Sequence, residues 1–356
     1  MRFSSIFKII ILNILISKMA HSAVCEERYP PDSEECQYVQ ELEQKAEQGD
    51  ESAQFALGSW YAEGRYVKPD YKLAIKWLEK AGKQGSDFSY FILGYHYNYG
   101  ENFPLSRQKA LEWYRKAAEL GDSSTQEILG DAYMYGDGFP QNTQLALEWY
   151  RRAAAQGLAE AQDAIGVMFM QGEGVSQDYQ QALAWYRKAA RQGLPAAQTH
   201  LGIMSAFGRG VAQSDRQAIA WYRKAAKQDF AKAQYQLGVA YSTGRGVPEN
   251  SRNALKWYLK AAEQGFTPAQ LALGEIYAHG RQGVPKDNKQ AYIWYYMASI
   301  YTEKSKDDCS ALIAERNRLK GTLTPDQLSE TYAAFDLIRR KINQSKEAKK
   351  IARKKY

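Results

Sequence analysis

The chain reads as an all-α solenoid of seven helix–turn–helix repeats of about 36 residues, closed by a helical cap at each end. Three periodic marks support this. Trp-Tyr recurs at 36-residue steps, at Trp113-Tyr114, Trp149-Tyr150, Trp185-Tyr186, Trp221-Tyr222 and Trp257-Tyr258. Trp77-Leu78 precedes this series on the same spacing, and Trp294-Tyr295 ends it one residue late. A Leu-Gly or Ile-Gly pair runs in step from Leu57-Gly58 to Leu273-Gly274, and another glycine follows each pair, from Gly64 to Gly280. A fixed period of this size marks units that bury their apolar faces only against their neighbours.

Each unit holds two helical stretches. In the first repeat, Ala53, Leu57 and Tyr61 share one face over about residues 51–63. Ala74, Trp77, Leu78 and Ala81 form a stripe over about residues 71–84. A Gly-x-Gly-Val loop, as in Gly172-Glu173-Gly174-Val175, turns the chain between them. Gly85, Gly121, Gly157, Gly193 and Gly265 follow the second helix, where a left-handed residue ends it; Asp229 takes that place once. The late final Trp-Tyr has a visible source: Gly280-Arg281-Gln282-Gly283 is one residue longer than Gly244-Arg245-Gly246, an insertion confined to a loop. Alanine and glycine bring backbones close while Trp and Tyr fill the gaps, so the aromatics read as core rather than as a stacking platform for sugars or bases. Truncating one such Trp is expected to cost about 3–5 kcal/mol.

The pattern Ala233-Gln234, Leu237-Gly238, Tyr241, Gly244-Arg245-Gly246-Val247, then Ala254, Trp257-Tyr258, Lys260-Ala261-Ala262 and Gln264-Gly265, resembles the Sel1-like repeat, a relative of the tetratricopeptide repeat. The resemblance covers residues 50–305 and implies an α/α superhelix used for protein–protein interaction. Departures are local: Tyr66, Leu78, Asn102, Phe103 and Ser205.

The N-terminus reads as an export signal over residues 1–23. Arg2 and Lys8 precede an apolar run from Ile9 to Ile16, too short to span a bilayer comfortably, and small residues follow at Ala20, Ser22 and Ala23. Cleavage is expected near Ala23, with Ser22 the other option. A periplasmic or secreted protein follows, with no stable membrane span. In an oxidising compartment Cys25 and Cys36 could close a small loop onto an N-terminal cap over residues 24–49, leaving Cys309 over; three unpaired thiols is the alternative. After about Ser305 the period is lost. Cys309–Lys320 and Pro325–Ile342 read as amphipathic capping helices within residues 306–343, with Thr324 as N-cap and Pro325 in the first turn. A basic tail over residues 344–356 supplies most of the +7 net charge. It reads as a solvated, frayed helix; weak attraction to anionic surfaces is the alternative.

Little in the chain suggests catalysis. His96, His200 and His279 fall in different repeats and helical phases, and no Cys/His spacing suits zinc. The Gly-x-Gly-Val loops lack the preceding strand of a phosphate-binding loop, and no Gly-x-Ser-x-Gly elbow occurs. A cysteine-rich branch of the Sel1-like family is linked to β-lactam binding and hydrolysis, but its cysteine pair per repeat is missing here. The expected protein is therefore not an enzyme and needs no cofactor, metal or nucleic acid; it is expected to be a monomer. A cell-wall or β-lactam-related binding protein or hydrolase is the alternative.

In such superhelices the first helix of each hairpin lines the concave face. Residues opposite its core stripe vary between repeats, as a binding face does when packing no longer dictates identity. Tyr95, Tyr99, Met134, Tyr135, Met170, Ile203 and Phe207 are the partner-binding candidates, being types favoured at interfaces. Burial of half of them by tight curvature is the competing expectation. The partner expected is a protein, either of the cell's own envelope or of a host, since some exported Sel1-like proteins of similar layout engage immune proteins or aid cell entry.

Overall fold

A computed structural model describes residues 29–30, 33–280, 283–302 and 310–354. The expected signal segment 1–23, Cys25 and Cys309 lie outside them. The described residues form seventeen α-helices and no strand, and the chain divides into two compact units, Met1–Ser176 and Gln177–Tyr356.

The first unit holds α1 (Glu34–Glu47), α2 (Glu51–Glu63), α3 (Tyr71–Lys83), α4 (Asp87–Tyr99), α5 (Arg107–Leu120), α6 (Ser123–Tyr135), α7 (Thr143–Ala155) and α8 (Ala159–Gln171). Each packs on the next in chain order. The second unit begins with α9 (Tyr179–Arg191), α10 (Pro195–Phe207), α11 (Asp215–Ala226), α12 (Ala231–Thr243) and α13 (Ser251–Ala262). It continues with α14 (Thr267–His279), α15 (Asn288–Thr302), α16 (Ser310–Lys320) and α17 (Pro325–Lys354). The even-numbered helices from α2 to α14 open the repeats and the odd-numbered ones from α3 to α15 close them, which is an all-α solenoid.

The Leu-Gly and Trp-Tyr marks prove to be two halves of one contact. A Cβ added to Gly94 would lie 2.4 Å from the Tyr114 ring, and one on Gly130 would lie 2.4 Å from Tyr150. Gly202–Tyr222, Gly238–Tyr258 and Gly274–Tyr295 repeat the contact at 2.4, 2.6 and 2.6 Å. In the first repeat Leu78 replaces the tyrosine, 2.6 Å from a Cβ on Gly58. The last contact survives the inserted loop residue. Asp287 N–H still donates to Tyr277 O at 2.9 Å, as Asn250 N–H does to Tyr241 O, so the insertion is absorbed between Tyr277 and Asp287.

Within the five Trp-Tyr pairs from Trp113-Tyr114 to Trp257-Tyr258 the two rings part company. The tyrosines are buried, whereas Trp113, Trp149, Trp185, Trp221 and Trp257 are only half-buried. A cation three residues on covers each outer face: Lys116 lies 4.0 Å from the Trp113 ring centre, Arg152 4.4 Å from Trp149 and Lys188 3.9 Å from Trp185. Trp113, Trp149 and Trp257 pack against the core without being enclosed by it, so the core expectation holds for one face of the ring only, and the roughly 3–5 kcal/mol assigned to truncation belongs to the tyrosines. Trp77 and Trp294 are buried.

A second repeating device is polar. Gln126 Nε2 donates to Ala118 O at 3.0 Å, and Gln156 Nε2 donates to both Gln126 Oε1 (2.9 Å) and Gly121 O (2.8 Å). Gln54 with Gln84, Gln198 with Gln228 and Gln234 with Gln264 form the same link. The glutamine amides thus add a donor at the preceding helix end, where a carbonyl such as Ala118 O otherwise holds only the Gly121 N–H at 3.2 Å; Gln234 meets the Asp229 carboxylate there instead. One link is rebuilt: Tyr90 stands in the glutamine position and Leu120 in that of its partner. Gly82, where the next five repeats have alanine, makes the room, since a Cβ there would lie 2.5 Å from the Tyr90 ring.

Helix ends follow local chemistry. Asp70, Ser106, Asn142, Asp178, Ser214 and Asn250, again at 36-residue steps, accept backbone N–H bonds that start the second helices. First helices end on a left-handed glycine such as Gly136, φ 70°. At the second loop position Tyr66 and Asn102 take φ 60° and 59°, where other repeats have glycine. Asn102 Nδ2 donates to Ala62 O (2.9 Å), and Tyr66 packs 4.6 Å from Trp60, contacts that hold a backbone conformation unfavourable to side chains. Asp229 has φ 54°, as its place after the helix requires.

At the ends, Cys36 is buried and disulfide-bonded. In the second unit Thr324 and Gln327 cap each other reciprocally, at 3.0 and 3.3 Å, to start α17. Phe335 stacks on Tyr296 at 4.1 Å, and Ile342 closes over Gly265. The helix extends beyond Ile342 to Lys354, carrying the basic segment as its last turns.

Candidate functional site

The candidate face is built by the first helices. In the first unit, α4 presents Phe88, Phe91, Tyr95 and Tyr99 at successive turns. Phe88 stacks on Phe91 at 5.6 Å and Tyr95 lies 4.6 Å from Tyr99. Phe88, Tyr99 and, on α6, Tyr135 are 54, 48 and 74% exposed, large rings facing water in a protein with enough core to bury them. Met170 on α8 is half-buried. Met134 is not on the face: it is 5% exposed, in the same register as Ala62 (0%) and Ala206 (7%), on the side of the helix that turns into the solenoid. In the second unit Ile203 is half-buried against the core of α10–α12, and Phe207 is 60% exposed. The Arg209 and Arg245 guanidinium carbons stand 5.4 and 5.9 Å from the Phe207 ring, and Arg245 is fixed by Asp215 (3.0 Å) and Ala206 O (3.2 Å). Tyr99, Tyr135 and Phe207 are each the last residue of their helix, one place before its left-handed glycine.

Polar groups accompany the rings. Tyr150 O–H donates to Asp131 Oδ1 at 2.6 Å. Burial raises the Asp131 pKa from its ordinary value, while that bond and the charge of Arg107 pull it back. Arg107 is held by Asp137 (2.9 and 2.8 Å) and Asn98 (2.9 Å). The Tyr150 hydroxyl is pushed far up by burial and by Asp131.

His96 is a structural histidine. Its Nδ1 lies 3.2 Å from Glu101 O and its ring stacks on Phe103 at 5.0 Å. Burial lowers its pKa below 6.5, against weaker opposing pulls from Glu101 O and nearby carboxylates. The unfolded chain therefore takes up this proton first, so the neutral ring's contribution is complete above about pH 6.5 and is lost on acidification. The melting temperature is expected to fall between about pH 7 and 5, and to fall less steeply in His96→Gln; equal slopes in calorimetry would refute this. The His200 ring lies tilted, 4.8 Å from that of Tyr186, and His279 Nδ1 meets Glu275 O (3.0 Å). Among the described residues no group of three or more His, Cys, Asp or Glu could hold a metal ion, and no helix is long and apolar enough to cross a membrane.

The family model for the Sel1 repeat matches seven consecutive stretches: 51–86, 88–122, 123–158, 159–194, 195–230, 231–266 and 267–299. The chain belongs to the Sel1 repeat family. Among solved structures it is similar to a Sel1 repeat protein from Oxalobacter formigenes, at 35% identity over 79% of each chain with a TM-score of 0.67. It is also similar to c5321, a protective antigen of uropathogenic Escherichia coli with an SLR fold, at 26% identity over 87% of this chain and 88% of that one, TM-score 0.45. A third similarity is to immunity protein Pa5087 of Pseudomonas aeruginosa, at 24% identity over 54% and 73%, TM-score 0.42. No curated protein matches significantly. Sel1 repeats are protein-interaction scaffolds, a role typically without catalysis.

Phe88 was missed as a candidate although its register, two residues into the first helix, is readable from the repeat; at the same place the other repeats carry serine, glutamate, alanine, lysine or proline, which hides it.

Proposed function

We propose that this Sel1 protein is an exported adaptor that binds a partner protein through exposed aromatic rings on the first helices of each unit, without catalysis of its own. The observation that carries the proposal is the exposure of Tyr99, Tyr135 and Phe207 at one register while the adjoining core positions stay fixed from repeat to repeat. Such rings supply contact area at modest entropic loss and dominate interfaces. Export is supported by the charged, apolar and small-residue order of residues 1–23 and by a disulfide at Cys36. The partner is a protein of the cell envelope or of a host.

Affinity capture with the chain from residue 24 onward, beside its Tyr99→Ala/Tyr135→Ala/Phe207→Ala form, tests the face. A protein retained by the first and lost by the second, with melting unchanged, is the expected result, and envelope and host inputs distinguish the sources. Equal retention by both forms, or a melting temperature lowered together with binding, would refute the face as a binding surface.

A further inference from the structure

The charges of the first unit are sorted by helix. The four first helices α2, α4, α6 and α8 contain no lysine or arginine, and hold seven carboxylates: Glu51, Glu63, Asp87, Glu127, Asp131, Glu160 and Asp163. The second helices α3, α5 and α7 hold ten lysines and arginines against four glutamates. This separation runs against a net charge of +7, so the first-helix face is locally negative in a positive protein. The surroundings of Tyr135 report the same field: its hydroxyl is pushed up by partial desolvation and then by the charges of Asp131, Glu173 and Glu127. Arg107 is the cation that acts on Asp131, and it is held by Asp137 and Asn98 at the start of α5. The exposed rings of Phe88, Tyr99 and Tyr135 lie on these same helices.

We infer that the segment bound by the first unit is cationic: a stretch of another protein in which lysines or arginines accompany apolar side chains. This rests on the partner-binding role proposed for the face. Aromatic faces accept both halves of such a segment, aliphatic chains by burial and ammonium or guanidinium groups by cation–π attraction. The carboxylates add long-range attraction that selects positive partners and raises the association rate at low salt. An acidic segment would instead meet like charge along α6 and α8.

Two synthetic peptides of equal length and apolar content, one bearing lysines and one glutamates, provide the test with the full chain by fluorescence anisotropy. The lysine peptide is expected to bind about tenfold more tightly at low salt, with the preference shrinking at high salt. The set Glu127→Gln, Glu160→Gln and Asp163→Asn is expected to remove the preference, with circular dichroism and melting unchanged. The set Phe88→Ala, Tyr99→Ala and Tyr135→Ala is expected to weaken both peptides alike. Equal or reversed binding of the peptides, binding of neither, or a preference that survives neutralisation overturns the cationic assignment. Should the aromatic set alone lose binding, the face stands and the charge selection falls; if neither set matters, both fall.

Discussion

Gly130→Ala is expected to destabilise the solenoid by about 1–3 kcal/mol in the intact chain and to stabilise it by up to about 1 kcal/mol once Tyr150 has been cut to alanine. The added methyl would sit 2.4 Å from the Tyr150 ring, nearer than atoms approach, and the ring has no room to retreat because it is 2% exposed and its hydroxyl is tied to Asp131. Helices α6 and α7 must then separate or the ring must leave its rotamer. With Tyr150→Ala the obstacle is gone, and alanine keeps only its intrinsic advantage over glycine inside a helix. Tyr150→Ala alone should cost about 3–5 kcal/mol through lost burial and a cavity. Solenoids need not unfold in one step, so guanidinium denaturation should be paired with hydrogen exchange at α6 and α7. A substitution neutral in the intact chain, or equally harmful in both backgrounds, would rule out the steric account.

Gln126→Leu is expected to cost about 1–3 kcal/mol, because it takes from the buried Ala118 carbonyl its side-chain donor, leaving only Gly121 N–H at 3.2 Å, and takes an acceptor from Gln156. Gln156→Leu strands Gln126 Oε1 in turn. The double replacement leaves fewer orphaned groups than the two singles together, so its cost should fall short of their sum by about 0.5–3 kcal/mol. A double-mutant cycle measures that difference; strict additivity would mean the amides do not cooperate.

Much of the fold was readable because identity repeats where environment repeats. Period, helix pairing, the loop insertion and the Thr324 start of the C-terminal helix all follow from residues that are the same, or chemically forced, in each unit. Periodicity, however, reports that positions share an environment without saying what touches what. Gly130 and Tyr150 therefore appeared as separate marks rather than as one contact. The glutamines recur almost as faithfully as the glycines, with Tyr90 the exception, yet a polar side chain suggests the surface until the opposing carbonyl is seen. The second-helix caps escaped for another reason: aspartate, serine and asparagine do the same work, so matching by identity misses them. On the candidate face, Tyr99, Tyr135 and Phe207 were legible because the end of each first helix projects beyond the packed stripe. Met134 was not, because its register lies at the border of the stripe; Ala62 and Ala206 are buried there while Asn98 and Met170 are half-buried.

The rebuilt link at Tyr90 bears on how the array can change in length. Excising the repeat at 123–158 in one period would bring Gln162, which now donates to Ala154 O, to the equivalent carbonyl of Ala118, and the joint would be like for like. Excising the repeat at 88–122 together with residue 87 would set Gln126 against Gly82, leaving empty the space the Tyr90 ring fills. Gains and losses of whole repeats in related genes should therefore spare the second repeat or remove it with its Gly82 neighbour, so that the first two repeats are inherited as a block while the array beyond them lengthens or shortens freely.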